Sequence, residues 1–441
     1  MAIFALIDAN SFYASCEIAF QPGLVNRPVV VLSNNDGCIV AANAHAKALN
    51  RYLTKPLGSG GYRAAQPTSI MFQPYFKVER LLKAHKTKVF SSNYELYADM
   101  SQRLHTLIGQ FAPKQEIYSI DESFLDLTGF EKHNLTDYGQ QIRQTILRGL
   151  GLPVAVGIGH SKTLAKLANH LAKKGDFSGV LDLTVLSEPA INLLLKNVAI
   201  GDVWGIGKQL RQQLQAVGIH TALDLKLADP HKLSKRFSVN ILRSHLELNH
   251  QACLQLDEVD EPKQQILRSR SFGQAISERH DLRQALVNFA SRAAEKLRAQ
   301  GSVCQAVTVF CTTNPFKPEQ GAYRNSCSLR LALATDDTRL IAEQVKIGVD
   351  KLWREDFLYH KAGVILSELS QKSQQQNDLF APALNEKSAQ LMAVMDQINQ
   401  KMGKHSLHLA SQDHANQRWA MRQNHHSPRY TTNWQELLTV S

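Results

Sequence analysis

The sequence has little that would place it in a specialised class. Its 441 residues include only six cysteines, none in a CxxC pair and none at zinc-finger spacing to a pair of histidines. Neither a disulfide framework nor a structural zinc site is expected, and the thiols suit a reducing cytosol. No apolar run approaches the ~18 residues of a spanning helix, so a membrane protein is not expected. Met1 to Leu6 is apolar but lacks a basic start and meets Asp8 too soon for a signal peptide. The segment Gly157-Ile158-Gly159-His160-Ser161-Lys162-Thr163 has no glycine directly before its Lys-Thr pair, and no GxGxxG occurs elsewhere. An ATPase or a dinucleotide-binding enzyme therefore loses its support. No internal repeat is present.

What the sequence does have is a globular composition, 44% hydrophobic and 20% charged, with an excess of base. At roughly 100–200 residues per domain the length suits about three compact parts. A net charge of +11 and a pI of 9.3 favour a polyanionic partner, although a merely basic enzyme has the same totals. The base is unevenly placed. Residues 160–245 hold 12 Lys and Arg against 6 Asp and Glu, and residues 263–298 hold 8 against 3. Between these stretches, residues 246–262 carry acids and no Lys or Arg, as in a polar linker. Glu116, Asp121, Glu122 and Asp126 lie together with no base between them, an acidic patch within a basic half.

Short apolar runs at 3–7, 28–32, 117–127 and 153–158 predict buried strands. Ser92 with Glu95 has capping-box spacing before a helix running to about 108. Residues 162–174 place Leu164, Leu167 and Leu171 on one helical face and the lysines elsewhere. Strands alternating with helices predict an α+β or α/β first domain. Short helices broken by glycine-containing turns follow from 186 to 245. A second mixed region has helices near 282–299 and 338–353 and strands near 305–311 and 327–333. The polar stretch Gln371 to Asn377 predicts a flexible connector into a C-terminal extension.

Two local patterns carry chemistry. Asp8 follows a buried strand, and Asp121-Glu122 lie within another. Carboxylates facing one another are costly unless a cation neutralises them, and hard divalent ions such as Mg²⁺ take carboxylate oxygens. Two such ions support in-line phosphoryl transfer. The second pattern is Val203-Trp204-Gly205-Ile206-Gly207-Lys208, with Gly218 further on. A Gly-Ile-Gly hairpin between helices can offer backbone N–H groups to a DNA phosphate without reading sequence.

These residues, together with Asp8-Ala9-Asn10-Ser11-Phe12-Tyr13, Ser91-Ser92-Asn93-Tyr94-Glu95-Leu96-Tyr97, Tyr118-Ser119-Ile120-Asp121-Glu122, Leu164-Ala165-Lys166-Leu167, Arg268-Ser269-Arg270-Ser271-Phe272 and Ser427-Pro428-Arg429-Tyr430-Thr431-Thr432, resemble Y-family DNA polymerases of the UmuC type across nearly the whole chain. The resemblance implies an α+β, multidomain, right-hand polymerase. Its ferredoxin-like palm would occupy 1–12 and 94–180, its small fingers 13–93, and its helical thumb with the helix-hairpin-helix 181–245. An acidic linker at 246–262 would lead to an α/β little finger at 263–370, and a C-terminal extension would follow at 371–441. Asp8, Asp121 and Glu122, with the main chain of Ala9, would hold two Mg²⁺ ions. Phe12, Tyr13, Lys47 and Lys173 would bind the dNTP, with the Tyr13 ring filling the space of a ribose 2′-hydroxyl. Gly205, Ile206, Gly207, Lys208, Gly218, Arg268 and Arg270 would contact DNA. Gln376, Leu379 and Phe380 look like the family's peptide for the sliding clamp.

The same resemblance implies error-prone translesion synthesis on primer-template DNA, damaged DNA included, in the SOS response. UmuD-like subunits, a RecA filament and the sliding clamp would be partners, in the cytoplasm and at the nucleoid when active. Two departures stand out: Ala44 where relatives often carry a Tyr, and an insertion at about 50–70 in the fingers. A non-catalytic damaged-DNA-binding or partner-recruiting homologue and a two-metal nuclease are the competing classes.

Overall fold

The computed structural model describes residues 1–53, 69–256, 262–374, 386–403, 406–412 and 419–437. The clamp-like peptide Gln376, Leu379 and Phe380 and most of the expected insertion, residues 54–68, lie outside them. The chain forms two compact units, 1–260 with 424–441, and 261–423. The break between them falls inside the acidic 246–262 segment.

The first unit opens with β1 (Phe4–Ala9) and α1 (Phe12–Ala19). There follow β2 (Val29–Leu32), β3 (Ile39–Ala42), α2 (Ala44–Lys47), α3 (Tyr75–Ala84) and β4 (Lys88–Ser91). These strands make a small sheet in the order β3-β2-β4, packed on Val30, Leu32, Ile39, Val78 and Leu82. Next come α4 (Tyr94–Ile108), β5 (Gln115–Ile117), β6 (Glu122–Asp126), α5 (Leu135–Leu150), β7 (Val154–Gly159), α6 (Lys162–Lys174) and β8 (Val180–Asp182). The main sheet has the order β5-β6-β1-β7-β8, with β1 antiparallel to both its neighbours.

β1 reads as a continuous apolar run because both of its faces are covered. Ala5, Ile7 and Ala9 join Leu96, Leu104, Ile142 and Ile146 under α4 and α5. Phe4 and Leu6 join Phe124 and Ala165 on the side of α6. Side chains alternate along a strand, so Asp8 shares the α6 face with Phe4 and Leu6. The register opposes Asp8 to Glu122, Leu6 to Phe124 and Phe124 to Glu116, which puts three acids on that one face. Gly157 is opposite Leu6. A Cβ there would lie 2.0 Å from the Asn169 backbone nitrogen, so only glycine lets α6 sit this close to the sheet. The glycines of the 157–163 segment thus pack a helix, and Ser161 caps it by accepting from Leu164 N.

Two local expectations are corrected. The strand expected over 117–127 is two strands, β5 and β6, separated by a turn in which Tyr118 N and Ser119 N donate to Glu122 O. The turn lifts Asp121 out of the ladder. The cap of α4 is Asn93, whose Oδ1 accepts from Leu96 N, because Ser92 is drawn away to donate to Leu32 O.

Five short helices complete the first unit's central part: α7 (Glu188–Lys196), α8 (Lys208–Gln215), α9 (Ala222–Leu227), α10 (Pro230–Arg236) and α11 (Val239–Leu248). Gly205 and Gly218 turn with φ of +83° and +85°, values that glycine adopts freely. Ile206, Leu214 and Ile219 are buried between these helices, leaving the glycines on the surface.

The second unit is a sheet of β9 (Ile266–Ile276), β10 (Ser302–Thr313), β11 (Arg324–Thr335) and β12 (Tyr359–Gln371) in the antiparallel order β11-β10-β12-β9. It carries α12 (Arg279–Ala299) and α13 (Thr338–Leu352), which pack on each other and on the sheet. The extension, expected to begin as a flexible connector, contains α14 (Glu386–Met402). From residue 424 the chain belongs to the first unit again. Among the described residues no helix is long and apolar enough to cross a membrane.

Candidate active site

The acids on the sheet meet the lysines of α6 one by one. Lys162 Nζ lies 2.6 Å from Glu116 Oε2, both side chains buried. Lys166 reaches both oxygens of Glu122, at 2.9 and 3.0 Å. Lys173 lies 2.5 Å from Asp8 Oδ2. Spacings of four and eleven residues put these lysines on one stripe of the helix. The sequence reading sets Lys162 and Lys166 apart from the leucine face of this helix and gives them no partner. The structure turns both inward, because the sheet face beneath carries the matching acids.

Burial pushes the Asp8 carboxyl up to about 7 against the pull of Lys173, and the Glu122 carboxyl beside it pushes in the same direction. Two close, half-buried carboxyls need positive charge to stay ionised. Asp121 sits in the turn, its Oδ1 accepting from Ser119 Oγ at 2.7 Å and its carbonyl accepting from Ala9 N at 3.0 Å. Of the three acids singled out, the structure therefore brings Asp8 and Glu122 together and turns Asp121 toward Ser119. Among the described residues no three His, Cys, Asp or Glu side chains converge on one point. The donors on offer are carboxylate and main-chain carbonyl oxygens, a set that fits Mg²⁺.

Beside the acids lies a cavity of about 660 Å³ whose walls include Asn10, Ser11, Ser15, Ala44, Lys47 and Lys173. Lys47 and Lys173, expected from distant segments, thus face one space. Lys47 Nζ donates to Ser11 Oγ at 3.0 Å, and partial burial and the Lys173 ammonium lower its pKa. Sequence reasoning missed Asn10 and Ser11 as site residues, although their place between β1 and α1 was a usable signal. Ser11 holds φ at +50°, a strained value for a residue with a Cβ. Asn10 Oδ1 is buried there without a hydrogen-bond partner.

Tyr13 is half-buried, and its ring stacks on Tyr97 with centroids 4.5 Å apart and planes 13° from parallel. Tyr94 meets it edge-on at 6.0 Å. Burial first, then Tyr94 and Asp121, raise the Tyr13 pKa. Phe12 is only 3% exposed and packs in the core under the sheet, so it backs Tyr13 rather than lining the cavity.

Gly205, Gly207, Lys208 and Gly218 are exposed and Ile206 is buried. Trp204 Nε1 donates to Tyr118 OH at 3.0 Å, joining this hairpin to the turn before Glu122. In the second unit Arg270 is exposed. Arg268 is half-buried, its pKa lowered by burial and by Arg270 and Arg292, and its Nε has no hydrogen-bond partner.

This architecture is that of a Y-family DNA polymerase. A solved structure described as "Y-family DNA polymerase chimera Dbh-Dpo4(243-245)-Dbh" superimposes with a TM-score of 0.61, covering 84% of this chain and 99% of that one at 19% identity. The chain belongs to the impB/mucB/samB family, of UmuC type. That family matches residues 7–51 and 62–170, and its C-terminal domain matches 263–379. A domain of unknown function, DUF4113, matches 389–440. Protein UmuC of Salmonella typhimurium (strain LT2) is 43% identical over 444 residues, covering 99% of this chain and all of that one. Protein MucB of Salmonella typhimurium is 41% identical over 438 residues, 99% of each chain.

Proposed function

We propose that the protein is an error-prone translesion DNA polymerase of the SOS response that adds deoxynucleotides to a primer 3′-hydroxyl opposite damaged template bases. The observation that carries this reading is the half-buried Asp8–Glu122 pair beside a cavity that Lys47 and Lys173 share. Asp8, Glu122 and Asp121, with the Ala9 main chain, would hold two Mg²⁺ ions, which when bound lower the pKa of the primer hydroxyl and neutralise charge on the triphosphate. Lys47 and Lys173 are flexible point charges suited to the phosphates of the incoming nucleotide. The Tyr13 ring occupies the place of the sugar's 2′ position, and its stack on Tyr97 keeps it there. In domain terms the main sheet with α4 to α6 is the palm, the small sheet the fingers, α7 to α11 the thumb and the second unit's sheet the little finger.

The hairpin Gly205-Ile206-Gly207-Lys208, exposed but for Ile206, takes the DNA backbone with Gly218, and Arg268 and Arg270 take it from the little finger. Gln376, Leu379 and Phe380 dock the sliding clamp, while UmuD-like subunits and a RecA filament complete the assembly at the nucleoid in the cytoplasm. Lys208→Ala is expected to weaken duplex binding alike on all sequences and to reduce the slope of log affinity against log salt by about one. Fluorescence anisotropy from 50 to 200 mM salt measures this, and an unchanged slope removes Lys208 from the contact.

With Mg²⁺ and dNTPs the protein is expected to lengthen a labelled primer on both undamaged and lesion-bearing templates. A bound primer that keeps its length would leave a DNA-binding homologue without catalysis. A shortened primer would make the site a nuclease.

A further inference from the structure

The motif Ser427-Pro428-Arg429-Tyr430 has no part in the chemistry above, yet the structure seats it against Glu17 and Asn93, next to the helices that carry Tyr13 and Tyr97. Tyr97, which stacks on Tyr13, is fully buried and donates its hydroxyl to Glu17 Oε1 at 2.7 Å. Glu17 lies one helical turn after Tyr13 on α1 and is itself fully buried. The same Oε1 accepts a second hydrogen bond, from Ser427 Oγ at 2.9 Å. The other oxygen, Oε2, is buried with no hydrogen-bond partner, so these two donors fix the orientation of the carboxyl. Burial raises Glu17 to about 7, while the hydrogen bonds from Tyr97 and Ser427 pull in the opposite direction.

Ser427 is held independently of Glu17. Asn93 Nδ2 donates to its carbonyl at 3.2 Å and its Oγ at 3.0 Å, while Asn93 Oδ1 caps α4, the helix that carries Tyr97. Further along, Tyr430 stacks on Phe20 and accepts from Gln21 Nε2 at 2.9 Å. The C-terminal segment therefore touches both helices that hold the stacked rings, and it stays docked when one hydroxyl is lost.

We propose that Ser427 is a positioning residue for sugar selection: through Glu17 and Tyr97 it fixes the Tyr13 ring against the 2′ position of the incoming nucleotide. This rests on the reading of Tyr13 as the sugar-sensing ring. A stacked ring whose backing is free to turn admits an extra hydroxyl more easily. Loss of one donor is thus expressed as weaker rejection of ribonucleotides.

The test compares kcat/KM for a dNTP and for the rNTP of the same base, in single-nucleotide primer extension by the whole 441-residue chain. Ser427→Ala is expected to lower the dNTP-to-rNTP ratio roughly three- to tenfold, the rate equivalent of one hydrogen bond. Tyr97→Phe, which keeps the ring and removes its hydroxyl, is expected to act in the same direction, and Ser427→Thr to retain the wild-type ratio. A merely structural role would reduce the amount of folded enzyme, scaling both rates equally and leaving the ratio unchanged. If Tyr13→Ala lowers the ratio by at least roughly tenfold while Ser427→Ala and Tyr97→Phe stay within twofold of wild type, the proposal is overturned and the reading of Tyr13 stands. If Tyr13→Ala itself leaves the ratio unchanged, the reading of Tyr13 fails and takes the proposal with it.

Discussion

Asp8→Asn is expected to stop primer extension while leaving duplex binding intact. The substitution keeps the shape of the side chain and removes its negative charge. It leaves Glu122 to balance both Lys166 and Lys173, and it takes one oxygen anion from the proposed cation site. Loss of a single preorganised electrostatic group commonly costs about 10²–10³-fold in rate, and a carboxylate that faces a metal should stand at or beyond the upper end. The variant is expected to fold, because burial already raises Asp8 to about 7 and so favours a neutral side chain there. Single-turnover extension of a labelled primer, with anisotropy for DNA binding, measures both quantities. Extension within tenfold of wild type would refute the assignment of Asp8.

The second large effect concerns stability. Glu116 and Lys162 are buried, and the further company of Lys162 Nζ is Gln255 O at 3.2 Å and the faces of the Phe124 and Trp204 rings at 4.8 and 5.9 Å. Glu116→Leu strands the ammonium in a dry site, a change that costs about 3–5 kcal/mol. At ~2–4 °C per kcal/mol for a unit of this size, Tm is expected to fall by roughly 6–20 °C. Glu116→Leu with Lys162→Met restores most of the loss, since an apolar pair of similar volume removes the unpaired charge. A calorimetric fall of under about 2 °C in the single variant would show that water reaches Lys162 and that the pair is not dry.

The carboxylates were legible in the sequence because a buried strand ending in Asp8 and an acid pair between apolar residues are local patterns. The helix at 162–174 was legible for the same reason, through its leucines. What Lys162, Lys166 and Lys173 touch was not, because periodicity shows which residues share a face but not what another strand presents to that face. The split of 117–127 into β5 and β6 was hidden because Ile120 keeps the stretch apolar on paper, while the backbone of Ser119 folds back to Glu122. Asn93 outcompetes Ser92 as a cap only because Leu32 lies beside Ser92, a contact sixty residues away in sequence. Ser427-Pro428-Arg429-Tyr430 stood out as a motif, but its partners Glu17 and Asn93 are more than three hundred residues earlier.

That distance also sets an order of events during protein synthesis. The chain leaves the first unit at residue 260 and rejoins it at 424, with the whole second unit made in between. At about 5–20 residues per second, a ribosome takes on the order of ten to thirty seconds over that interval. Throughout it Glu17 has Tyr97 as a donor and lacks Ser427. The first unit, whose helices and sheets are otherwise available early, is completed only by a segment that emerges after the whole second unit.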